Sequence, residues 1–488
     1  MSEAGIGAIA TRGIFWSLVQ NWGAKVFTFV LFVSLARILT PADYGLAAAA
    51  ASVLLLIGLV AEFGFGDAIV QRRDLQPEDV NLPFIVSVGV AASLALGAAL
   101  MAGHIEAWLR VPGLSPVIVV ACALAPVSAM TVFQEMNYRR QLAFRQLAYR
   151  VLIANLVAGP VAILLAYRGA GVWSLIAQTY LSTLVGLVWL WARPRWRPSL
   201  RLNPVSFLEL ARFGGAVVSL RLADFAATRL VEIIIIGRFG IAVFGLYAVG
   251  SRLYQVLMQL LQSALNEVAL TVLSRIASER ERMGAIYIRA IMIAAYLAAP
   301  VFVLVAALAP EICGLLFGQD WAGVDAIARP LLLLGAVQSV QYLNGAYLSA
   351  RGRPSVVLRV ALVKYAGMIV GIVSIPTTGV VELVTLFVVL QLVATPLSFW
   401  AVGHELGLGW RRIAGTLAPS VLACMAGYGA VALLRMQTDM VVVLALGFAA
   451  IYGAVIAALG RSQVRAIADF FRSRLAEKWP AGLAQDGA

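Results

Sequence analysis

An all-α integral membrane protein with about 14 transmembrane helices is the fold class this sequence predicts, and three observations carry it. Of 488 residues, 62% are apolar, against roughly 45–50% in soluble domains even with Gly counted. Charged residues make up 12%, about half the usual share, and mean hydropathy is +0.91. The apolar residues fall in long runs without a period of two, which speaks against a β-barrel. So much apolar surface cannot be hidden inside a soluble chain. Disorder, a collagen-like repeat and a disulfide-stapled secreted scaffold do not fit either.

A hydrocarbon core about 30 Å thick takes about 20 apolar residues in a helix. Segments of that kind cover 14–36, 44–67, 82–103, 115–136, 150–167, 171–192, 213–237, 243–272, 286–310, 330–350, 355–375, 381–402, 413–434 and 439–460. The N-terminus does not read as a cleavable signal. Only Arg12 precedes the first span, and no small-residue cleavage site follows a short apolar core.

Lys and Arg set the orientation. With the N-terminus cytoplasmic, Arg72, Arg73, Arg139, Arg140, Arg351, Arg353, Arg411, Arg412 and the basic tail all fall on the cytoplasmic side. The opposite side holds Arg37, Arg110, Arg168, Arg238, Arg329 and Arg435. Both termini are therefore expected in the cytoplasm. The net charge of +13 is explained by this topology and by anionic lipid headgroups, so no nucleic-acid partner is expected.

After the last span, Val464, Ile467, Phe471, Leu475 and Trp479 recur at helical spacing with Arg465, Arg472, Arg474 and Lys478 between them. This is the pattern of a helix lying on the membrane surface. A partner-docking helix is the alternative. The cysteines Cys122, Cys313 and Cys424 are scattered through apolar runs and read as small buried hydrophobes. No Cys/His spacing resembles a metal site.

Two stretches resemble each other. Ala36-Arg-Ile-Leu-Thr-Pro-Ala-Asp-Tyr-Gly-Leu-Ala-Ala48 and Gly237-Arg-Phe-Gly-Ile-Ala-Val-Phe-Gly-Leu-Tyr-Ala248 each follow an apolar span, and each places an Arg shortly before Gly-Leu-x-Ala. Tyr138-Arg-Arg-Gln-Leu-Ala-Phe-Arg145 and Ala350-Arg-Gly-Arg-Pro354 both follow the fourth span of their half. The predicted organisation is therefore a duplication. An N-terminal lobe covers 1–200 (spans 1–6) and a C-terminal lobe covers 201–402 (spans 7–12). Spans 13 and 14 (403–460) and a cytoplasmic amphipathic tail (461–488) follow. Six spans per half makes the repeats parallel, related by a pseudo-twofold along the membrane normal, and such a body can rock about a midplane site.

At these residues a family resemblance enters. Ala36-Arg-Ile-Leu-Thr-Pro-Ala-Asp-Tyr-Gly45, Glu62-Phe-Gly-Phe-Gly-Asp-Ala-Ile-Val-Gln-Arg72 and Gly245-Leu-Tyr-Ala-Val-Gly-Ser-Arg252 resemble the Wzx-type polysaccharide transporters. The chain looks most like the colanic-acid and exopolysaccharide exporters of the multidrug/oligosaccharidyl-lipid/polysaccharide flippase superfamily. The resemblance implies a transporter, not an enzyme. It would be resident in the bacterial inner membrane and move a polyprenyl-diphosphate-linked oligosaccharide from the inner to the outer leaflet. It implies the lipid bilayer, a polysaccharide polymerase and chain-length proteins as partners, and no cofactor. It also implies a cavity between two lobes, walled chiefly by spans 1, 2, 7 and 8.

A charge near mid-membrane costs about 2.5–3.5 kcal/mol on insertion scales, so it marks a functional candidate. The basic candidates are Lys25, Arg221, Arg229, Arg252, Arg359 and Lys364. Arg359 lies near a span end and can snorkel. Span 7 places Arg221, Asp224, Thr228 and Glu232 on one face, with Arg229 off to one side. Span 8 carries Arg252, Gln255 and Gln259; span 1 carries Gln20, Asn21 and Lys25; span 10 carries Gln338, Gln341 and Tyr342. Arg, with its planar fork, and Lys suit a diphosphate, and amides suit sugar hydroxyls. Lys25, Arg221 and Arg252 are thus the expected diphosphate ligands, joined by Gln20, Asn21, Gln255, Gln259 and Gln341. An internal Arg221–Asp224 bridge is the structural alternative.

No Walker-type run is present, so coupling to H⁺ or Na⁺ is expected, with Asp224 and Glu232 the leading carboxylates and Glu62, Asp67, Glu135 and Glu267 rivals. Two other functions fit the composition. A drug/cation antiporter of the same superfamily would want a net acidic cavity. A membrane polysaccharide polymerase or ligase would want a large external catalytic loop, and the connection near 310–329 is short.

Overall fold

The computed structural model describes residues 25–72, 74–141, 143–273, 280–351 and 353–477. Among them the secondary structure is helical throughout. The helices are α1 (Lys25–Ala36), α2 (Pro41–Glu62), α3 (Phe65–Gln71), α4 (Asn81–Leu109), α5 (Leu114–Cys122), α6 (Ala125–Arg140), α7 (Phe144–Tyr167), α8 (Val172–Ala192), α9 (Pro204–Phe239) and α10 (Ile241–Leu273). They continue with α11 (Arg280–Ile293), α12 (Ala299–Ala307), α13 (Ala309–Phe317), α14 (Val324–Ala350), α15 (Pro354–Ser374), α16 (Val380–Leu406), α17 (Trp410–Leu434), α18 (Val441–Leu459) and α19 (Arg461–Glu477).

Twelve helical segments among the described residues are long and apolar enough to cross a membrane. The two predicted spans outside that set are the first and the seventh. Of the first, the described part is the short apolar helix α1. The seventh is α9, 36 residues long, whose apolar run is broken by Arg221, Asp224, Arg229 and Glu232. α9 begins at Pro204 and runs unbroken to Phe239.

Local chemistry sets the helix ends. Thr40 caps α2: its hydroxyl oxygen accepts from the Asp43 amide at 3.2 Å, and Asp43 returns the bond to the Thr40 amide at 3.0 Å. This reciprocal box satisfies two orphan donors, and Pro41 sits where its missing N–H costs nothing. After α2 the chain turns through Phe63 and Gly64, both left-handed.

The chain divides into two compact units. The first runs to Gly250 and takes in Leu316–Val324 and Ile369–Leu383; the second holds the remainder. In the first, Phe65, Ile69, Phe84, Phe133 and Trp196 form a buried cluster, with Phe84 edge-on to Phe133 at 5.6 Å and to Trp196 at 5.3 Å. The connection before α9 is tied down there, because Trp196 Nε1 donates to the Pro77 carbonyl at 2.8 Å. Phe317 and Trp321 close over the α1–α2 junction, where Trp321 Nε1 donates to the Ala36 carbonyl at 2.6 Å and Tyr44 lies edge-on to Trp321 at 5.4 Å.

In the second unit the core gathers on Tyr287, Ile291, Leu343, Tyr347 and Val402. A π-helical turn, Ala294–Ala298, joins α11 to α12. The hydroxyls of Ser420 on α17 and Tyr452 on α18 donate to the carbonyls of Ala295 and Tyr296 in that turn. The last two spans are thereby docked on an irregular turn whose carbonyls need donors. Leu446 and Leu459 stay exposed on α18, as helix faces do when lipid is the solvent.

Candidate functional site

In the first unit the charged helix α9 packs against α2 and α3. At one end the backbones meet closely: a Cβ on Gly64 would overlap the Gly214 backbone, and a Cβ on Gly214 would overlap the Phe63 carbonyl. About two turns further along α9, Arg221 Nη1 lies 3.6 Å from Glu62 Oε1. At mid-span Ser52 Oγ donates to Glu232 Oε2 at 3.1 Å, and Arg229 Nη1 donates both to Ser52 Oγ at 2.9 Å and to Glu232 Oε1. The Arg229 guanidinium also lies over the Phe225 ring at 5.1 Å.

These placements refine the sequence reading. Arg221 reaches Glu62 on α2 as well as lying on the face it shares with Asp224. Glu232 is paired with Arg229, the basic residue that helical spacing set to one side. Ser52 and Glu62 on α2 complete the array. Ser52 gave no signal in the sequence, being a single serine in an Ala-rich helix. Asp224 and Arg221 are exposed, on a helix otherwise surrounded by apolar spans. Thr228 turns its hydroxyl back onto the Asp224 carbonyl at 2.9 Å, a local bond that satisfies the hydroxyl within its own helix.

Lys25 is half-buried at the start of α1, and one turn on Thr28 Oγ1 accepts from Asn155 Nδ2 of α7 at 3.0 Å. Gln20 and Asn21 lie outside the described residues. A polar cavity of about 310 Å³ opens among α6, α7 and α8, lined by Thr131, Glu135, Arg150, Asn155 and Ser182. Glu135 is held there by Arg139 at 2.6 Å and Arg150 at 3.0 Å.

In the second unit, Arg252 is half-buried on α10, while Gln255 and Gln259 are exposed. Gln341 lines a cavity of about 270 Å³ with Gln338, Asn344, Lys364 and Ser398. Its amide donates to Ser398 Oγ at 2.7 Å. Lys364 was visible as an intramembrane charge, but spacing alone did not connect it to the polar face of α14.

Outside the spans, Asp74 follows α3. Its carboxyl is held below the usual Asp range, first by its own backbone amide and then by Arg72, whose Nε lies 3.3 Å away. Arg72 also reaches Glu209 Oε2 on α9 at 2.9 Å.

Comparison with known proteins places this geometry. A family model described as polysaccharide biosynthesis protein matches residues 34–326. The succinoglycan biosynthesis transport protein ExoT of Rhizobium meliloti (strain 1021) is 26% identical over 371 residues, 76% of this chain and 73% of that one. The lipopolysaccharide biosynthesis protein WzxC of Escherichia coli (strain K12) is 20% identical over 409 residues, 82% of each chain. Among solved structures, the lipid II flippase MurJ in an inward closed conformation superposes with a TM-score of 0.70 at 11% identity. It covers 92% of this chain and all of that one, 100%. An inward-facing multidrug resistance transporter of the MATE family, of the MOP superfamily, gives 0.58 at 17% identity over 79% of this chain and 94% of that one. The fold is the one these transporters share.

Proposed function

The chain belongs to the polysaccharide biosynthesis protein family, and from that membership we propose that it flips a polyprenyl-diphosphate-linked oligosaccharide across the inner membrane by alternating access. The product would feed synthesis of a cell-surface polysaccharide. The names of ExoT and WzxC, a transport protein and a lipopolysaccharide biosynthesis protein, support this direction.

The observation that carries the reading is α9. Four charged groups, Arg221, Asp224, Arg229 and Glu232, stand within one membrane-embedded helix. Two of them are consumed in pairing Arg229 with Glu232. Arg221 keeps a side chain 42% exposed, on a helix where exposure to acyl chains would be costly. A hydrated cavity holding an anion is the environment that suits it. Lys25, Arg221 and Arg252 are assigned to the diphosphate, which carries about two to three negative charges matched by cationic donors. Gln20, Asn21, Gln255, Gln259 and Gln341 are assigned to sugar hydroxyls. The polyprenyl tail stays in lipid while the head crosses between an N-terminal lobe (1–200) and a C-terminal lobe (201–402), with 403–460 and the tail 461–488 outside the duplicated core.

Coupling is assigned to H⁺ or Na⁺, at Asp224 or Glu232. Both termini are assigned to the cytoplasm on the distribution of Lys and Arg. A polymerase and chain-length proteins are the partners such a cargo calls for.

Depletion of the protein is expected to accumulate a lipid-linked glycan on the cytoplasmic leaflet. In proteoliposomes, Arg252→Ala and Lys25→Ala should each slow headgroup translocation at normal abundance; normal transport by both would overturn the assignment. Imposed pH and Na⁺ gradients should change the rate, and indifference to both removes the coupling. A drug/cation antiporter is the competing reading, and efflux of a fluorescent cation would reveal it.

A further inference from the structure

The cavity of the second unit is left unassigned by the diphosphate ligands. At about 270 Å³ it falls just under the roughly 300–1,000 Å³ of drug-sized pockets, so it takes one sugar-sized ring rather than an oligosaccharide. Lys364 enters it from midway along the 21-residue α15. Among the described residues lining it, Lys364 brings the only formal charge. The polar wall comes from Gln338, Gln341 and Tyr342 on α14, with Tyr254 on α10, Tyr365 on α15 and Ser398 on α16.

These groups are held by a buried scaffold. Tyr287 donates to Asn344 Oδ1 at 2.8 Å, and Asn344 Nδ2 donates to Ser398 Oγ at 3.2 Å. Gln341 Nε2 donates to the same oxygen at 2.7 Å, and the Ser398 hydroxyl itself donates to the Thr395 carbonyl at 3.0 Å. Tyr254 donates to Gln338 Oε1. Asn344 and Ser398 are 3% and 8% exposed. A network satisfied in this way fixes the amides before a ligand arrives.

Gly345 adds an independent observation. It lines the cavity, and a Cβ built on it would meet nothing within 4 Å. Gly335, ten residues earlier on α14, is different, because a Cβ there would overlap the Phe302 ring. Packing therefore explains Gly335 and not Gly345. A glycine inside a helix costs about 1 kcal/mol against Ala, and the consequence of this one is open space in the cavity wall.

We propose that this cavity is a subsite for one acidic sugar, a pyranose bearing a carboxylate. The Lys364 ammonium pairs with the carboxylate, the fixed amides and hydroxyls take the ring hydroxyls, and the Tyr rings cover its C–H face. A diphosphate fits less well: a single ammonium opposes its charge and no guanidinium fork lines the wall. The subsite rests on the flippase reading, since the sugar is part of that headgroup.

The test uses the full-length protein in nanodiscs, with saturation-transfer NMR on glucuronic acid and on glucose. A separate binding measurement uses a sugar-free polyprenyl diphosphate. Wild type should bind glucuronate about tenfold more tightly than glucose, the scale of one charge-assisted hydrogen bond. Lys364→Gln should erase that preference while leaving glucose unchanged, and Gly345→Leu should abolish binding of both sugars. Neither variant should alter polyprenyl diphosphate binding. Equal binding of the two sugars by wild type, or a preference that survives Lys364→Gln, overturns the subsite. If that happens while polyprenyl diphosphate still binds, the flippase reading stands without it. If the Lys364-dependent preference is present and polyprenyl diphosphate does not bind, the subsite stands and the diphosphate assignment falls.

Discussion

Gly45 and Gly245 lie 200 positions apart in the chain and press against each other's segments. A Cβ on Gly45 would overlap the Ile241 carbonyl, and a Cβ on Gly245 would overlap the Pro41 carbonyl. Residues 41 and 241 are themselves 200 apart, so the contact is reciprocal, as between two copies related by a twofold. The two stretches that resemble each other in sequence are thus in backbone contact. Small residues at helix crossings permit this approach in a membrane, where packing replaces the hydrophobic effect as the force between helices. Gly45→Ala and Gly245→Ala should each lower stability by about 1–3 kcal/mol, the cost of overpacking. Gly58→Ala is the control, because a Cβ there meets nothing within 4 Å. Thermal melting in detergent of the three variants checks this; equal melting temperatures would show that the crossing yields without cost.

The hydroxyls of Ser420 and Tyr452 hold spans α17 and α18 to the π turn. Ser420→Ala and Tyr452→Phe remove one donor each with little change of shape. Each should cost about 0.5–1.5 kcal/mol. The double variant should loosen α17 and α18 first, and hydrogen exchange resolved by peptide would show faster exchange confined to 410–459 and 294–298. Uniform acceleration across the chain would mean that the turn is not a local clasp.

The Asp74 carboxyl is depressed by its own backbone amide and by Arg72. A carboxylate whose folded pKa lies below its unfolded value contributes stability above the unfolded pKa and loses it as pH falls through the folded one. Because Asp74 is fully exposed, the effect is small and salt-sensitive. Melting temperatures of wild type and Asp74→Asn should differ by a constant small amount from pH 6 to pH 8. The difference should close as the pH falls below the ordinary Asp range and through the depressed folded pKa. A gap that widens at acid pH would assign the acid sensitivity elsewhere.

The long apolar runs were readable because hydropathy over a span is additive and insensitive to neighbours. Thr40-Pro-Ala-Asp43 entered the sequence reading only as part of a family motif, although its capping box is as local a signal, needing only four residues. Partners were not readable. Helical spacing put Glu232 with Arg221 and Asp224, and the structure pairs it with Arg229 and with Ser52, 180 positions away in sequence. An i,i+3 pair and an i,i+4 stripe both leave a helix on adjoining faces, so the choice falls to whatever helix packs alongside. Lys364 shows the same limit. Its charge was conspicuous in α15, but Gln338, Gln341, Tyr342 and Tyr254 around it belong to α14 and α10, and nothing in the chain's own order joins them.

The Arg229–Glu232 pair decides between a structural and a coupling role for Glu232. Its side chains are 26% and 14% exposed, so each charge is largely withdrawn from solvent. Removing one partner leaves the other uncompensated, a loss of about 3–5 kcal/mol when burial is complete and about 1–3 kcal/mol at this exposure. Removing both by Arg229→Gln with Glu232→Gln takes away the attraction and the stranded charge together, so the double variant should melt closer to wild type than either single. Transport then separates the roles. If Glu232 only anchors α9 to α2 through Ser52, the double variant recovers translocation along with stability. If Glu232 carries the coupling ion, stability returns but the response to a pH or Na⁺ gradient does not. Because the two readouts come from the same preparations, a fold defect cannot be mistaken for lost coupling.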